Sequence, residues 1–96
     1  MTRIVQFKFR LYTADDSQNS AQALANLKAL CRLHLADRYD IEVVDVFEEP
    51  QRALSDKIRM TPTLLKLAPL PALRIVGTLS ETSKVLLALG LDATSS

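Results

Sequence analysis

Five side chains are of types that do chemistry and stand where polar chemistry could be arranged: Ser17, Ser20, Cys31, His34 and Asp45. Cys31 and His34 are three residues apart and could face a shared metal ion, yet a metal site takes three or four ligands and no others accompany them. Cys31 falls on the apolar stripe of a helix and reads as a small core residue, while His34 reads as a helix-surface or last-turn residue. With a single histidine in the chain, any Ser–His–Asp arrangement must use His34, late in a helix and far from the polar segment of Ser17 and Ser20. The only glycines are Gly77 and Gly90, so there is no phosphate-cradling loop. Asp45 interrupts Val43, Val44 and Val46 in what reads as a central strand. It needs a donor, supplied by loop amides or by Arg10 or Lys8. No residue is assigned a catalytic, cofactor-binding or metal-ligating role.

The elements that must position these groups follow from hydrophobic periodicity. Residues 3–12 alternate, with Val5, Phe7, Phe9 and Leu11 on one side and Gln6, Lys8 and Arg10 on the other, as in a strand with one covered face. Polar residues 15–20 offer N-caps, and Leu24, Leu27, Leu30, Cys31 and Leu35 recur at helical spacing over about 15 residues. Residues 41–47 are rich in β-branched side chains and read as a second strand, completing a parallel, right-handed βαβ unit. A short helix near 51–59, strands near 63–67 and 73–76, and a helix near 81–89 follow. The order β-α-β-α-β-β-α is that of a thioredoxin-like α/β domain.

That order raises a redox question, because redox thioredoxins carry Cys-x-x-Cys at the start of the first helix, where the positive helix end lowers a thiol pKa. Ser17-Gln-Asn-Ser20 occupies the place here, and a hydroxyl cannot exchange disulfides. Glutathione transferases that use a serine there need a second, helical domain, for which 96 residues leave no room. The sequence points away from an oxidoreductase and away from enzymes in general.

Composition fits one small domain with a core of its own. Twelve basic residues against eleven acidic ones leave a net charge of +1 with the signs interleaved, which gives no footprint for nucleic acid or an acidic membrane. One cysteine excludes an internal disulfide. Without an apolar run of bilayer length or a leader pattern, the expected location is the cytoplasm. Residues 1–92 are taken as the domain and 93–96 as a flexible tail.

The most distinctive stretch is Asp56 to Lys66 (DKIRMTPTLLK), then Pro69, Pro71 and Leu73 to Ser80 (LRIVGTLS). Pro62 lacks an amide donor and belongs at a strand's first residue or edge. With Phe9-Arg-Leu-Tyr12, the Asn19-Ser20 pair, Val43-Val-Asp-Val46 and Pro50-Gln51, it resembles the KaiB family of circadian clock proteins over roughly residues 9–91. The resemblance implies a protein without catalysis or cofactors that binds the ATPase ring protein KaiC. The implied contact residues are Gln51, Leu54, Lys57 and Ile58 on the second helix, with Lys66 nearby. A related domain forms the sensory end of the histidine kinase SasA, so a sensory interaction domain with a kinase or other ATPase partner is the alternative. A Thr-Pro-Thr step is also where thioredoxin-like folds keep a cis proline; spacing alone leaves the Thr61–Pro62 isomer open.

The KaiB family also switches folds. Its ground state, usually a tetramer, refolds the second half so that the final helix becomes a strand. Three residues bear on the choice: Pro62, Ala88 and Gly90. Clock-type members read KVLIGLD where this chain reads KVLLALG from Lys84 to Gly90. Ala88 in place of glycine favours a helix by about 0.8–1 kcal/mol, and Gly90 in place of aspartate supplies a C-cap and removes an unfavourable charge. Leu87 in place of isoleucine acts in the same direction. The expectation is a thioredoxin-like monomer. Glu42 replaces a lysine on the strand edge that captures KaiA, Asp15 replaces a loop glycine, and Gln22 and Thr78 replace an arginine and an aspartate. KaiA is therefore put in doubt as a partner.

Overall fold

Alternating side chains build the centre of the sheet, as seen in a computed structural model of the chain that describes residues 6–15 and 17–91. In β1 (Phe7–Thr13), Phe7, Phe9 and Leu11 point to one face, and Lys8, Arg10 and Tyr12 to the other. The strand expected from residue 3 is described from Phe7 onward; residues 3–5 and the tail at 93–96 lie outside the described residues. Helix α1 (Gln18–His34) follows, then β2 (Tyr39–Asp45), α2 (Pro50–Ser55), β3 (Thr63–Ala68), β4 (Leu73–Val76) and α3 (Thr82–Ala88). The strand order is β2-β1-β3-β4, with β1 and β2 parallel and the remaining pairs antiparallel.

Two helices cover one face and one covers the other. Ala23, Leu27, Leu30 and Cys31 of α1 and Val85 and Leu89 near α3 pack on Phe7, Phe9, Leu11 and Leu64. The opposite face holds a smaller cluster of Tyr12, Val44 and Leu65 under Ala53 of α2. Each buried leucine here contributes about 1.5–3 kcal/mol relative to exposure, and both clusters draw on the central strands β1 and β3.

Helix α1 starts as its sequence directs: Ser17 is the N-cap and its hydroxyl accepts the Ser20 amide at 3.2 Å, while the Ser20 hydroxyl accepts the Ala14 amide at 3.0 Å. Asp15 has φ +50°, a left-handed conformation that aspartate tolerates better than most residues.

Three expectations need correction. β2 is an edge strand, not a central one, and it ends at Asp45 instead of reaching 47. There the Asp45 carboxylate accepts the Phe47 amide at 2.8 Å, and its carbonyl accepts the amides of Glu48 and Glu49, turning the chain. The loop amide is thus the donor; Arg10 and Lys8 lie on the other face of the sheet, because the register pairs Arg10 with Glu42 and Thr13 with Asp45. Last, α2 stops at Ser55, short of 59, because Lys57 turns left-handed at φ +57°. The peptides Thr61–Pro62, Ala68–Pro69 and Leu70–Pro71 are cis.

Candidate functional site

Helix α2 is one and a half turns long, too short to hold itself together, so its geometry must come from what surrounds it. Pro50 begins it, where the missing amide costs nothing. Its far end closes with a double turn: the Lys57 amide donates to the Leu54 carbonyl at 3.0 Å and the Ile58 amide to the Ala53 carbonyl at 2.8 Å. This is the Schellman closure, with lysine in the left-handed place usually given to glycine and with Ile58 and Ala53 supplying the accompanying apolar pair.

A polar frame fixes the helix to the sheet. The buried hydroxyl of Tyr12 donates to the Asp56 carboxylate, with the Arg52 carbonyl 3.1 Å away. Arg10 reaches Asp56 at 3.0 Å and Glu42 at 2.9 Å, and Arg52 reaches Glu42 at 2.8 Å and Glu49 at 3.3 Å. From β4, Arg74 donates to the carbonyls of Asp56 at 2.6 Å and Lys57 at 2.9 Å. The hydrogen bond from Tyr12, then that from Arg10, holds the Asp56 carboxyl below its ordinary pKa. The bonds from Arg10 and Arg52 do the same for Glu42.

With its inner side so anchored, α2 presents Gln51 and Leu54 to solvent, Leu54 being 77% exposed; Lys57 and Ile58, expected on the helix, lie in the turn that closes it, Lys57 exposed and Ile58 half-buried against the sheet. Lys66 does not join them. It pairs with Phe9 and alternates with Leu64, so it lies on the α1–α3 face, opposite α2, and is only 4% exposed. The family resemblance implied a place for it beside the second helix; strand periodicity puts it beneath the other layer.

Pro62, Ala88 and Gly90, expected to bear on the choice of fold, lie in and around β3 and α3. Pro62 is buried just ahead of β3, and its carbonyl accepts the Gly77 amide at 2.9 Å. Ala88 is on the exposed side of α3. Gly90 has φ +76°, with its amide on the Leu87 carbonyl at 3.1 Å and the Leu91 amide on the Leu86 carbonyl at 2.8 Å, a second Schellman closure. Asn26 of α1 holds the Thr78 carbonyl at 2.8 Å, tying the loop before α3 to the first half of the chain.

Cys31 is wholly buried, and burial pushes its thiol pKa up to about 11. A packed, protonated thiol is neither nucleophile nor ligand, and Ser17 and Ser20 are engaged in capping α1. What the geometry offers is a rigidly framed surface.

Against known proteins, a profile for the KaiB domain matches residues 10–91. The chain belongs to the KaiB family. It is 50% identical over 92 residues to circadian clock protein KaiB3 of Synechocystis sp., covering 96% of this chain and 85% of that one. It is 45% identical over 82 residues to circadian clock oscillator protein KaiB of Synechococcus elongatus, covering 85% and 80%. In fold it is similar to the N-terminal domain of Synechococcus elongatus SasA, with a TM-score of 0.76 at 18% identity, covering all (100%) of this chain and 90% of that one. Chloroplastic thioredoxin z matches at a TM-score of 0.75 and 19% identity, covering 92% and 80%. The KaiB-family chain described here thus has the thioredoxin-like architecture.

The Arg10–Glu42–Arg52 and Arg74 contacts were missed from sequence. The signal for the first was the alternation of β1 and β2, which puts Arg10 and Glu42 on one face once the strands are paired in register. Nothing local announces Arg74.

Proposed function

We propose that this KaiB-family protein is a non-catalytic clock or signalling component that binds a KaiC-type ATPase ring through the outer face of α2, in its thioredoxin-like conformation. The observation that carries this reading is the solvent-facing set of Gln51 and Leu54 on α2 and Lys57 in its closing turn, an element whose inner side is fixed by Tyr12, Arg10 and Arg74. An exposed leucine beside a lysine that makes no ion pair among the described residues, on a backbone held by these bonds, has less main-chain entropy to lose on docking. Lys66 is left out of the surface because it lies on the opposite face.

The affinity of a KaiC-type ring for the wild type, Leu54→Ala and Lys57→Glu tests the reading. Each substitution should weaken association about tenfold or more, Leu54 through lost apolar contact and Lys57 through charge mismatch, while circular dichroism stays unchanged. Wild-type affinity in both variants would remove α2 from the interface. A wild-type protein that binds no such ring would favour a SasA-type sensory role with a kinase partner.

A further inference from the structure

On the side of the molecule away from α2, the edge strand β4, the loop after it and α3 enclose an open hollow of about 420 Å³. Ile75 of β4, Leu79 of the loop, and Val85 and Ala88 of α3 give it an apolar lining. Leu79 and Val85 are buried core residues, whereas Ile75 is half-buried and Ala88 is exposed, so part of that lining is left to water. Leu79 sits at φ +63°, a left-handed conformation rare for a bulky side chain. The polar groups here are few. Thr78 and Ser80 contribute two hydroxyls bonded to each other, and the main-chain amides of Leu79 and Ser80 donate to no main-chain carbonyl among the described residues. Glu81 and Lys84 stand 3.3 Å apart, so the charges that line the hollow cancel.

We propose that this hollow binds a small neutral amphiphile, an aliphatic chain that ends in an amide or ester carbonyl. Its volume lies within the roughly 300–1,000 Å³ of small-molecule sites, which are mostly apolar with a few polar groups that fix orientation. The leucine, isoleucine and valine side chains suit a hydrocarbon chain, and free amides beside hydroxyls suit a carbonyl acceptor. A balanced ion pair selects neither an acid nor an amine, and a lone lysine already facing a carboxylate is too little for the phosphates of a nucleotide. Because β4, the loop and α3 form the hollow only when packed together, a ligand there binds this packing and holds it by mass action. Gln51, Leu54 and Lys57 do not line it, so the site stands apart from the proposed ring contact.

Octanamide is the probe, with octanoate, octylammonium and acetamide as its charged and chainless counterparts. Titrated into ¹⁵N-labelled protein, octanamide should give saturable amide shifts centred on Ile75, Leu79 and Val85, and at saturation it should raise the thermal midpoint. Octanoate and octylammonium should bind about fivefold or more weakly, and acetamide should cause no shift. Ala88→Leu places a good helix former at an exposed position and fills the hollow, so it should weaken octanamide about fivefold or more. Leu87→Ala, exposed on the same helix but outside the hollow, should leave affinity within about twofold. Shifts that never saturate or that scatter over the surface would overturn the proposal. So would equal binding of either charged analogue, an unmoved thermal midpoint, or wild-type affinity in Ala88→Leu. Because no ring protein enters the experiment, its outcome is independent of the ring-binding reading.

Discussion

Arg74 holds Lys57 by its main chain: the guanidinium donates to the Lys57 carbonyl at 2.9 Å and to the neighbouring Asp56 carbonyl at 2.6 Å. The left-handed turn at Lys57 leaves these carbonyls without helical partners, and a planar fork from β4 takes them both. The orientation of the exposed lysine therefore depends on a residue 17 positions further along the chain.

Replacing Arg74 with Gln should cost about 1–2 kcal/mol of stability, the net worth of charge-assisted bonds at a partly solvated site. Arg74→Lys should recover less than half of the loss, since an ammonium cannot span both carbonyls in one plane. Urea unfolding measures both, and amide exchange at Ile58 should quicken before that of the β1 amides. Equal protection at Ile58 in wild type and Arg74→Gln would show that the α2 closure stands without Arg74.

Acid should loosen the same frame. The Asp56 carboxyl is held below its ordinary value by hydrogen bonds from Tyr12 and Arg10 that exist only in the folded chain. The folded state therefore binds fewer protons there than the unfolded one, and stability rises with pH through this range. The contribution is complete above about pH 5 and is lost as pH falls through the ordinary carboxylate value near 4 and then the lower folded one. Asp56→Asn should lower stability at pH 7 by about 1–3 kcal/mol and flatten the decline between pH 5 and 3. An unaltered decline would assign the acid sensitivity to other carboxyls, Glu42 first among them.

How much of this was legible in the sequence depends on the distance over which each feature is decided. Element order and the buried faces of β1 and α1 were readable because alternation and helical spacing are local, and the Ser17 cap announces itself in the same way. The end of α2 was not, because a lysine in the left-handed place carries none of the signal that glycine would. Lys66 shows a different failure. It entered the contact set through the family resemblance and not through its period, which puts it with Leu64 in a four-residue run of buried β3 side chains. The bonds from β1 that anchor α2 join residues 32 to 46 positions apart, so they exist only once strand register is set.

The buried thiol predicts chemical silence. Cys31 is inaccessible, and burial pushes its pKa up to about 11, so almost none is thiolate at neutral pH. Ellman's reagent should label the native protein only as fast as it unfolds, and insulin reduction with dithiothreitol recycling should run at the background rate. A rate lost on Cys31→Ser would make the protein a thiol catalyst and undo the binding-only reading.

The choice of fold should be adjustable at Ala88 and Gly90. Ala88 is solvent-exposed in α3, so a change to glycine removes helix propensity without disturbing the core, at about 0.8–1 kcal/mol. Gly90 sits at φ +76° with open space around it, so an aspartate would meet no clash; its cost would come from the left-handed backbone and from a negative charge at the negative end of the helix. Together Ala88→Gly and Gly90→Asp should disfavour α3 by about 1–2 kcal/mol, a population shift of roughly tenfold where two packings lie near balance. Asn26 opposes the change, since its bond to the Thr78 carbonyl anchors the loop before α3, and Asn26→Ala should add to the effect. Backbone chemical shifts over residues 82–88 and sedimentation velocity read the result. Growth of extended-strand shifts there, together with a heavier species, is the expected outcome in the double variant. A variant that stays helical with no heavier species would mean that the packing of Val85 and Leu89 on the core, more than propensity and capping, holds this chain in the thioredoxin-like fold.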